Sequence, residues 1–295
     1  MRLISVLVLA AACAVCFAGS ASAAGNTIFV GPSFAVGGNL NCSFPLTNSI
    51  NAAVAVATAG DTIVVCDGVY PEQVVVTKSI TLAGSGNAII QPAALTGDLD
   101  AVTVGGGASV TMWGFVVSGP GPGGCGSIGA GVRVRDNATL DLSLSEIRDI
   151  RDVGDNTPYP FSGCQNGEGI RIGARGGIGG PGHATIDNVV VTHYQKNGIT
   201  ASGAGTTAKI TNTTVTGFGA NSLIAQNGIQ VSSGAAATIS TSTIRDNDYT
   251  PKSFVSCGLL WFDANGVNDD TNVYLNNEKD KCGANGRGGT YDGAQ

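Results

Sequence analysis

The chain has 295 residues, with 15 basic against 21 acidic side chains, a net charge of −6 and only 12% of positions charged. That balance offers no basic patch for nucleic acid or an anionic membrane surface, and both are excluded as expected partners. Forty-five glycines argue for many bends rather than long helices.

Arg2, the apolar run LISVLVLAAACAVCFAG and the small-residue pattern Ala21-Ser22-Ala23 read as a secretory signal peptide over residues 1–23. No later apolar run approaches the roughly twenty residues that cross a bilayer. The mature chain is therefore expected to be secreted, or to sit on the exterior of the cell envelope, as a monomer. Eight cysteines occur, and Cys13 and Cys16 leave with the leader. The remaining Cys42, Cys66, Cys125, Cys164, Cys257 and Cys282 read as three disulfides in an oxidising compartment. Sequence does not fix their pairing; Cys42 with Cys66, Cys125 with Cys164 and Cys257 with Cys282 is the favoured set. A metal site made by these cysteines is disfavoured, since no CxxC occurs and there are only 2 histidines.

Residues 24–60 are expected to form an N-terminal extension and a capping helix. TNSINAAVAVATAGD offers Thr47 or Asn48 as N-cap, Ile50, Val54 and Ala57 on one apolar face, and Gly60 as a stop.

From residue 61 to 262 the chain repeats itself. Segments starting at Ala101, Gly131, Gly169, Gly198, Gly228 and Gly258 step by 30, 38, 29, 30 and 30 residues. After each glycine, apolar residues alternate with others, as in Val132 and Val134, Ile170 and Ile172, and Ile229 and Val231. A period of two means a strand with one face buried. Two further runs follow in each unit, ending on Ile186 and Val191, Ile210 and Val215, and Ile239 and Ile244, which requires a tight bend of constant shape. Repeats of this length mean a stacked solenoid, and runs rich in Val, Ile, Thr and Gly exclude helical repeats. The expected fold is an all-β, single-stranded, right-handed parallel β-helix with three strands per rung about 4.8 Å apart. Asn197 and Asn227 are expected to form a ladder along the axis, and Trp261 to face inward. Residues 263–295 are expected to form a C-terminal cap or tail.

The opening GDTIVVCDGVYPEQVVVTKSITL, following the capping helix, resembles the entry pattern of the pectin-lyase-like superfamily of parallel β-helix proteins. The resemblance covers essentially the whole mature chain and implies the fold; sites in such folds are grafted on. Gly68-Val69-Tyr70-Pro71-Glu72 is similar to the first pectin methylesterase motif, but the later motifs are missing. Gly182-His183-Ala184 stands where a polygalacturonase would need Gly-His-Gly with further partners, and these too are missing. Neither His183 nor His193 has a neighbouring nucleophile pattern.

Alternation places Arg133 and Arg171 in one outward, exposed column continued by Thr200, Gln230 and Leu260. Two long connections, Ile150 to Glu168 and Asn247 to Cys257, run beside it, and long loops on rigid scaffolds collect binding sites. Tyr159, Phe161, Tyr249, Lys252, Phe254 and Gln230 are the candidate substrate contacts, because aromatic rings beside polar groups suit a sugar. The resemblance implies Arg or Lys as the base of an elimination, often with Ca²⁺ held by carboxylates. Arg133 and Arg171 are then the catalytic candidates, with Asp152, Asp155 and Glu168 as Ca²⁺ ligands. The expected function is binding of an acidic polysaccharide, with lyase-type cleavage if the protein is an enzyme. The alternative is a non-catalytic cell-envelope, adhesion or structural module.

Overall fold

The computed structural model describes residues 25–32, 41–121, 123–152, 161–268 and 271–283. The leader, Asp155 and Tyr159 lie outside the described residues.

Each unit winds through three parallel runs, and each run pairs with its counterpart one turn away. The first runs, from Val74–Val76 through Ala130–Val134, Glu168–Gly173, Asn197–Ser202 and Asn227–Ser232 to Lys279–Cys282, make an 8-stranded sheet. The second and third runs together form a 15-stranded sheet. Every pairing between named strands is parallel, with Ile170 beside Ile199 and Ile199 beside Ile229. Likewise Ile186, Ile210 and Ile239 stand in one row, as do Val191, Val215 and Ile244. This is the right-handed parallel β-helix that the repeats predict. All of these rows are buried, and each Ile or Val removed from water contributes about 1.5–3 kcal/mol.

The constant bend between second and third runs has a single left-handed residue: Leu144, Asn188, Asn212 and Thr241 have φ of 48°, 55°, 50° and 50°. A buried hydroxyl often follows it. Ser145, Thr213 and Ser242 donate to the carbonyls of Ser143, Thr211 and Ser240 at 2.7, 2.8 and 2.9 Å. Ser145 and Ser242 also accept from the amides of Phe115 and Thr213 one rung back, both at 3.2 Å. The bend thus satisfies its own polar groups and tolerates water exclusion.

The recurring glycine before each first run is explained by close approach. A Cβ on Gly169, Gly198 or Gly228 would lie 2.5, 2.6 or 2.5 Å from the carbonyl oxygen of the glycine in the next rung. The same atom would strike Val191, Val215 or Ile244 of the third run. Only a residue without Cβ lets the rungs close here.

At the N-terminal end the helix spans Ile50–Val56 and buries Ile50 and Val54, with Ala57 just beyond it, as predicted. Its N-cap is Ser49, not Thr47 or Asn48, because Thr47 is engaged in a β-bridge with Val30. Glu72 completes the cap, accepting from the amides of Ile50 and Asn51 at 2.6 and 3.1 Å. A carboxylate there meets the positive end of the helix and its unpaired amides. The helix stops at Ala57, before Gly60: Lys78 Nζ donates to the carbonyls of Ala55 and Ala57 at 2.7 and 2.8 Å. An additional strand, Thr27–Val30, pairs in parallel with Thr62–Val65 and extends the wound sheet beyond the predicted start.

At the other end the coil continues past 262. Asn265–Asn268, Val273–Leu275 and Lys279–Cys282 pair with the preceding rung, so the described part of the tail is a further turn of the solenoid. Trp261 is buried on the inward side of its strand. Three disulfides join Cys42 to Cys66, Cys125 to Cys164 and Cys257 to Cys282, the favoured set.

Candidate functional site

The first-run sheet carries the predicted column in register: Thr103 beside Arg133, Arg133 beside Arg171, then Thr200, Gln230 and Leu260. Its exposure is different. Arg133 is 1% exposed, Arg171 9%, Thr200 0% and Leu260 3%. Alternation gives the direction of a side chain from the strand, and here the chain between Gly173 and His183 folds over that face. Arg133 donates to the Ile178 carbonyl at 3.1 Å, and Arg171 Nε donates to the Ala174 carbonyl at 3.1 Å.

Beneath this cover the arginines are paired. Arg133 Nη1 lies 3.7 Å from the fully buried Asp100 carboxylate, and Arg175 Nη1 lies 3.9 Å from its other oxygen. Burial pushes the Asp100 carboxyl up to about 7, more than Arg133 and Arg175 pull it down. Burial likewise lowers the Arg133 pKa. Arg171 donates to Glu168 Oε1 at 2.6 Å, and Thr200 donates to the same oxygen at 3.0 Å. Neither arginine is therefore presented to the surface as a base.

The carboxylates expected to bind Ca²⁺ have other partners. Asp152 is fully buried: Oδ1 accepts from the Ser162 amide at 2.9 Å, and Oδ2 accepts from Ser162 Oγ at 2.6 Å, Gln195 Nε2 at 3.2 Å and the Gly126 amide at 3.3 Å. This carboxylate ties the Ile150–Glu168 connection to the loop that carries Gly126 and to Gln195 at the entry of the next rung. Glu168 is committed through Oε1 to Arg171 and Thr200, while Oε2 is buried without a hydrogen bond. Among the described residues, the group of three potential ligand atoms within reach of one cation is Cys125, Asp152 and Cys164, and its two sulfurs are tied to each other. The described donor set does not fit Ca²⁺.

The aromatic candidates divide. Phe161 is fully buried and packs on Phe218 with ring centroids 4.8 Å apart, so it anchors its loop rather than facing a ligand. Gln230 is half-buried, accepts from Asn197 at 3.1 Å and donates to Ser232 at 3.2 Å. Lys252 is exposed on a left-handed turn, with φ of 54°. Tyr249 and Phe254 do converge, with ring centroids 6.4 Å apart.

These two rings form one wall of a pocket of about 340 Å³, whose other described lining residues are Gln165, Lys196, Leu223, Ile224 and Ala225. Lys196 was not among the residues singled out from sequence. Its stem is buried, and Nζ donates to the Ala225 carbonyl at 2.9 Å. Burial lowers its pKa to about 8, and the nearby Glu168 only partly opposes the shift. The signal was present in the repeat: Lys196 precedes Asn197-Gly198 where the next rung has Gln226 before Asn227-Gly228. It is a cation where the repeat otherwise places a neutral side chain. Beside it the predicted ladder is formed, with Asn227 Nδ2 donating to Asn197 Oδ1 at 3.1 Å.

No protein-family model and no curated protein sequence matches the chain. Among solved structures, pectate lyase Pel9A is similar with a TM-score of 0.57 at 13% identity, over 88% of this chain and 78% of that one. An alginate lyase from Paenibacillus sp. str. FPU-7 matches at TM-score 0.45 and 16% identity, over 86% and 99% of the two chains. The pectin methylesterase from Aspergillus niger matches at 0.45 and 15%, over 88% and 87%. At such identities, the pectate lyase likeness establishes a shared parallel β-helix fold.

Proposed function

We propose that this protein is exported and acts on an acidic polysaccharide at the Lys196 pocket, cleaving it by elimination. The observation that carries the reading is a lysine with a lowered pKa, set into a pocket with two aromatic rings. Elimination needs a base for the proton α to a uronate carboxylate and a group to stabilise the charge that then develops on that carboxylate. With a pKa of about 8, roughly a tenth of Lys196 is neutral at pH 7 and able to take that proton. Tyr249, lining the same pocket, is the hydroxyl donor toward the developing charge. As the proton leaves, its bonding electrons form the new C4–C5 double bond, and the bond from C4 to the glycosidic oxygen breaks with its pair passing to that oxygen, which is protonated from solvent, so the product is an unsaturated sugar. Phe254, which is 44% exposed, offers its ring to the apolar face of a sugar. The pectate lyase named above, sharing this fold, supports the substrate class.

The test is incubation with uronic and neutral polysaccharides, with and without Ca²⁺, following the absorbance of unsaturated products together with reducing ends. Lys196→Ala abolishes the signal if the assignment is right; an active Lys196→Ala removes it. A second reading, a non-catalytic envelope or adhesion module, is favoured by the burial of Arg133 and Arg171 within ion pairs. No product and no binding across the whole panel would leave that reading.

A further inference from the structure

The corner that covers Arg133 and Arg171 sets none of its own side chains into the core. Every residue from Ala174 to Pro181 is at least partly exposed, and Ile178 is 61% exposed. Its described hydrogen bonds to the rungs beneath are polar ties at the surface of the sheet. Arg133 and Arg171 donate to the Ile178 and Ala174 carbonyls, the Gly180 amide donates to Asp136 Oδ1 at 2.8 Å, and the Pro181 carbonyl accepts from the Asn137 amide at 2.7 Å. Segments with few buried apolar contacts are the ones that open locally. Both ends are fixed, since a Cβ would lie 2.2 Å from the Ser202 carbonyl oxygen at Gly173 and 2.3 Å from the Val134 carbonyl oxygen at Gly182. The chain between these glycines is a strap anchored at either end on the wound sheet.

Beneath it lie polar atoms that the closed arrangement leaves unsatisfied. Both Asp100 carboxylate oxygens and Arg133 Nε are buried without a hydrogen bond. Arg133 and Arg175 stand 3.7 and 3.9 Å from that carboxylate, too far to donate to it, and Arg175 belongs to the strap itself. The other charges acting on Asp100 are repulsive: Asp98, on the same connection and paired with Arg135 at 3.2 Å, and Glu168, on a later rung and paired with Arg171. Burial outweighs the two arginines, so the carboxyl is pushed up to about 7 from its ordinary 3.8. A carboxylate kept from water without donors is costly in its ionised form and much less so when protonated. Lifting the strap lets water reach it, so ionisation favours the lifted arrangement and protonation the closed one.

We propose that residues 174–182 are a pH-gated strap: with Asp100 protonated it lies closed over Arg133 and Arg171, and with Asp100 ionised its population shifts to a lifted state that uncovers them. The device does not rest on the action proposed at the Lys196 pocket. It makes the arginine column a surface that appears as pH rises from about 5 to about 8.

Hydrogen exchange of the full chain, read by mass spectrometry at pH 5, 6.5 and 8 and corrected for the intrinsic rate at each pH, tests the proposal. Exchange of residues 174–182 and of the Asn137 amide should quicken about ten- to a hundredfold from pH 5 to pH 8, the range set by a carboxyl that titrates near 7 when covered and near 3.8 when hydrated. The Thr213 amide, in the bend between second and third runs, should not change. Labelling of Arg133 by phenylglyoxal, relative to the half-exposed Arg148, should rise over the same range. Asp100→Asn should keep the strap slow at every pH. Arg175→Gln removes one attracting charge from Asp100 and should move the midpoint to higher pH, a readout that serves even where Asp100→Asn does not fold. Strap exchange that tracks Thr213 throughout, Arg133 labelling that stays flat, an unaltered pH dependence in Asp100→Asn, or an unmoved midpoint in Arg175→Gln overturns the gate.

Discussion

Replacing Asn227 by Ala tests the rung-to-rung ladder that the repeats imply. The Asn227 side chain is buried, donates through Nδ2 to Asn197 Oδ1 at 3.1 Å and accepts through Oδ1 from the Cys257 amide at 3.1 Å. Truncation leaves an acceptor on one rung and a donor on the other, both enclosed. Each orphaned group costs about 1–3 kcal/mol, so the loss should be about 2–6 kcal/mol. At about 2–4 °C per kcal/mol for a domain of this size, the melting temperature should fall by about 4–24 °C. Asn227→Asp should do no better at neutral pH, because it sets a carboxylate oxygen against Asn197 Oδ1. Thr238→Ala, on the exposed outer face of the second run, is the control and should change stability by less than about 0.5 kcal/mol. Equilibrium urea unfolding with disulfides intact, followed by circular dichroism, reads all three. If Asn227→Ala unfolds within about 0.5 kcal/mol of the parent protein, the ladder does not join the rungs and the reasoning from repeat to stability fails.

Lys196 gives a pH signature. Its folded pKa of about 8 lies below the usual 10.5, so between those values the unfolded chain binds more protons. Stability should therefore rise as pH goes from about 8 to about 10, relative to Lys196→Met, which should lack that slope and be more stable at pH 7 by about 1–3 kcal/mol; parallel curves for the two proteins would refute the assignment. Asp152→Asn should accelerate amide exchange around Gly126 and Ser162, because no amide orientation reproduces all four accepted bonds, and unchanged exchange would refute that role. Millimolar Ca²⁺ should leave the melting temperature of the parent protein unchanged. A rise of several degrees would return Asp152 to the list of ligands.

The parts of the fold legible in sequence were those repeated at every turn. Glycines 169, 198 and 228 recur because neighbouring rungs allow no Cβ there. The apolar pairs five residues apart recur because one bend shape serves every corner. Such constraints act locally and leave a period. The candidate site was less legible because it depends on chain that breaks the period. Arg133 and Arg171 were placed in the right column, but nothing in the alternation says that residues 174–182 lie across it. Asp152 and Phe161 carried the right chemistry for a ligand and were taken up by the protein's own Ser162, Gln195 and Phe218. Lys196 was passed over because its significance lies in the walls contributed by later loops, about thirty and fifty residues along the chain.

The corner after the first run separates two kinds of evolutionary change. Residues 135–138 turn it tightly in one rung and residues 174–182 in the next, yet Ile172 still pairs with Val134 and His183 with Thr139 on either side. The strands therefore do not register how much chain is spliced between them, and doubling such a splice costs only about 0.6 kcal/mol in closure entropy. Ligand preference can drift by lengthening or swapping corners while the wound scaffold stays under separate selection, so relatives of this chain should agree in pitch and differ most in what overhangs the first runs.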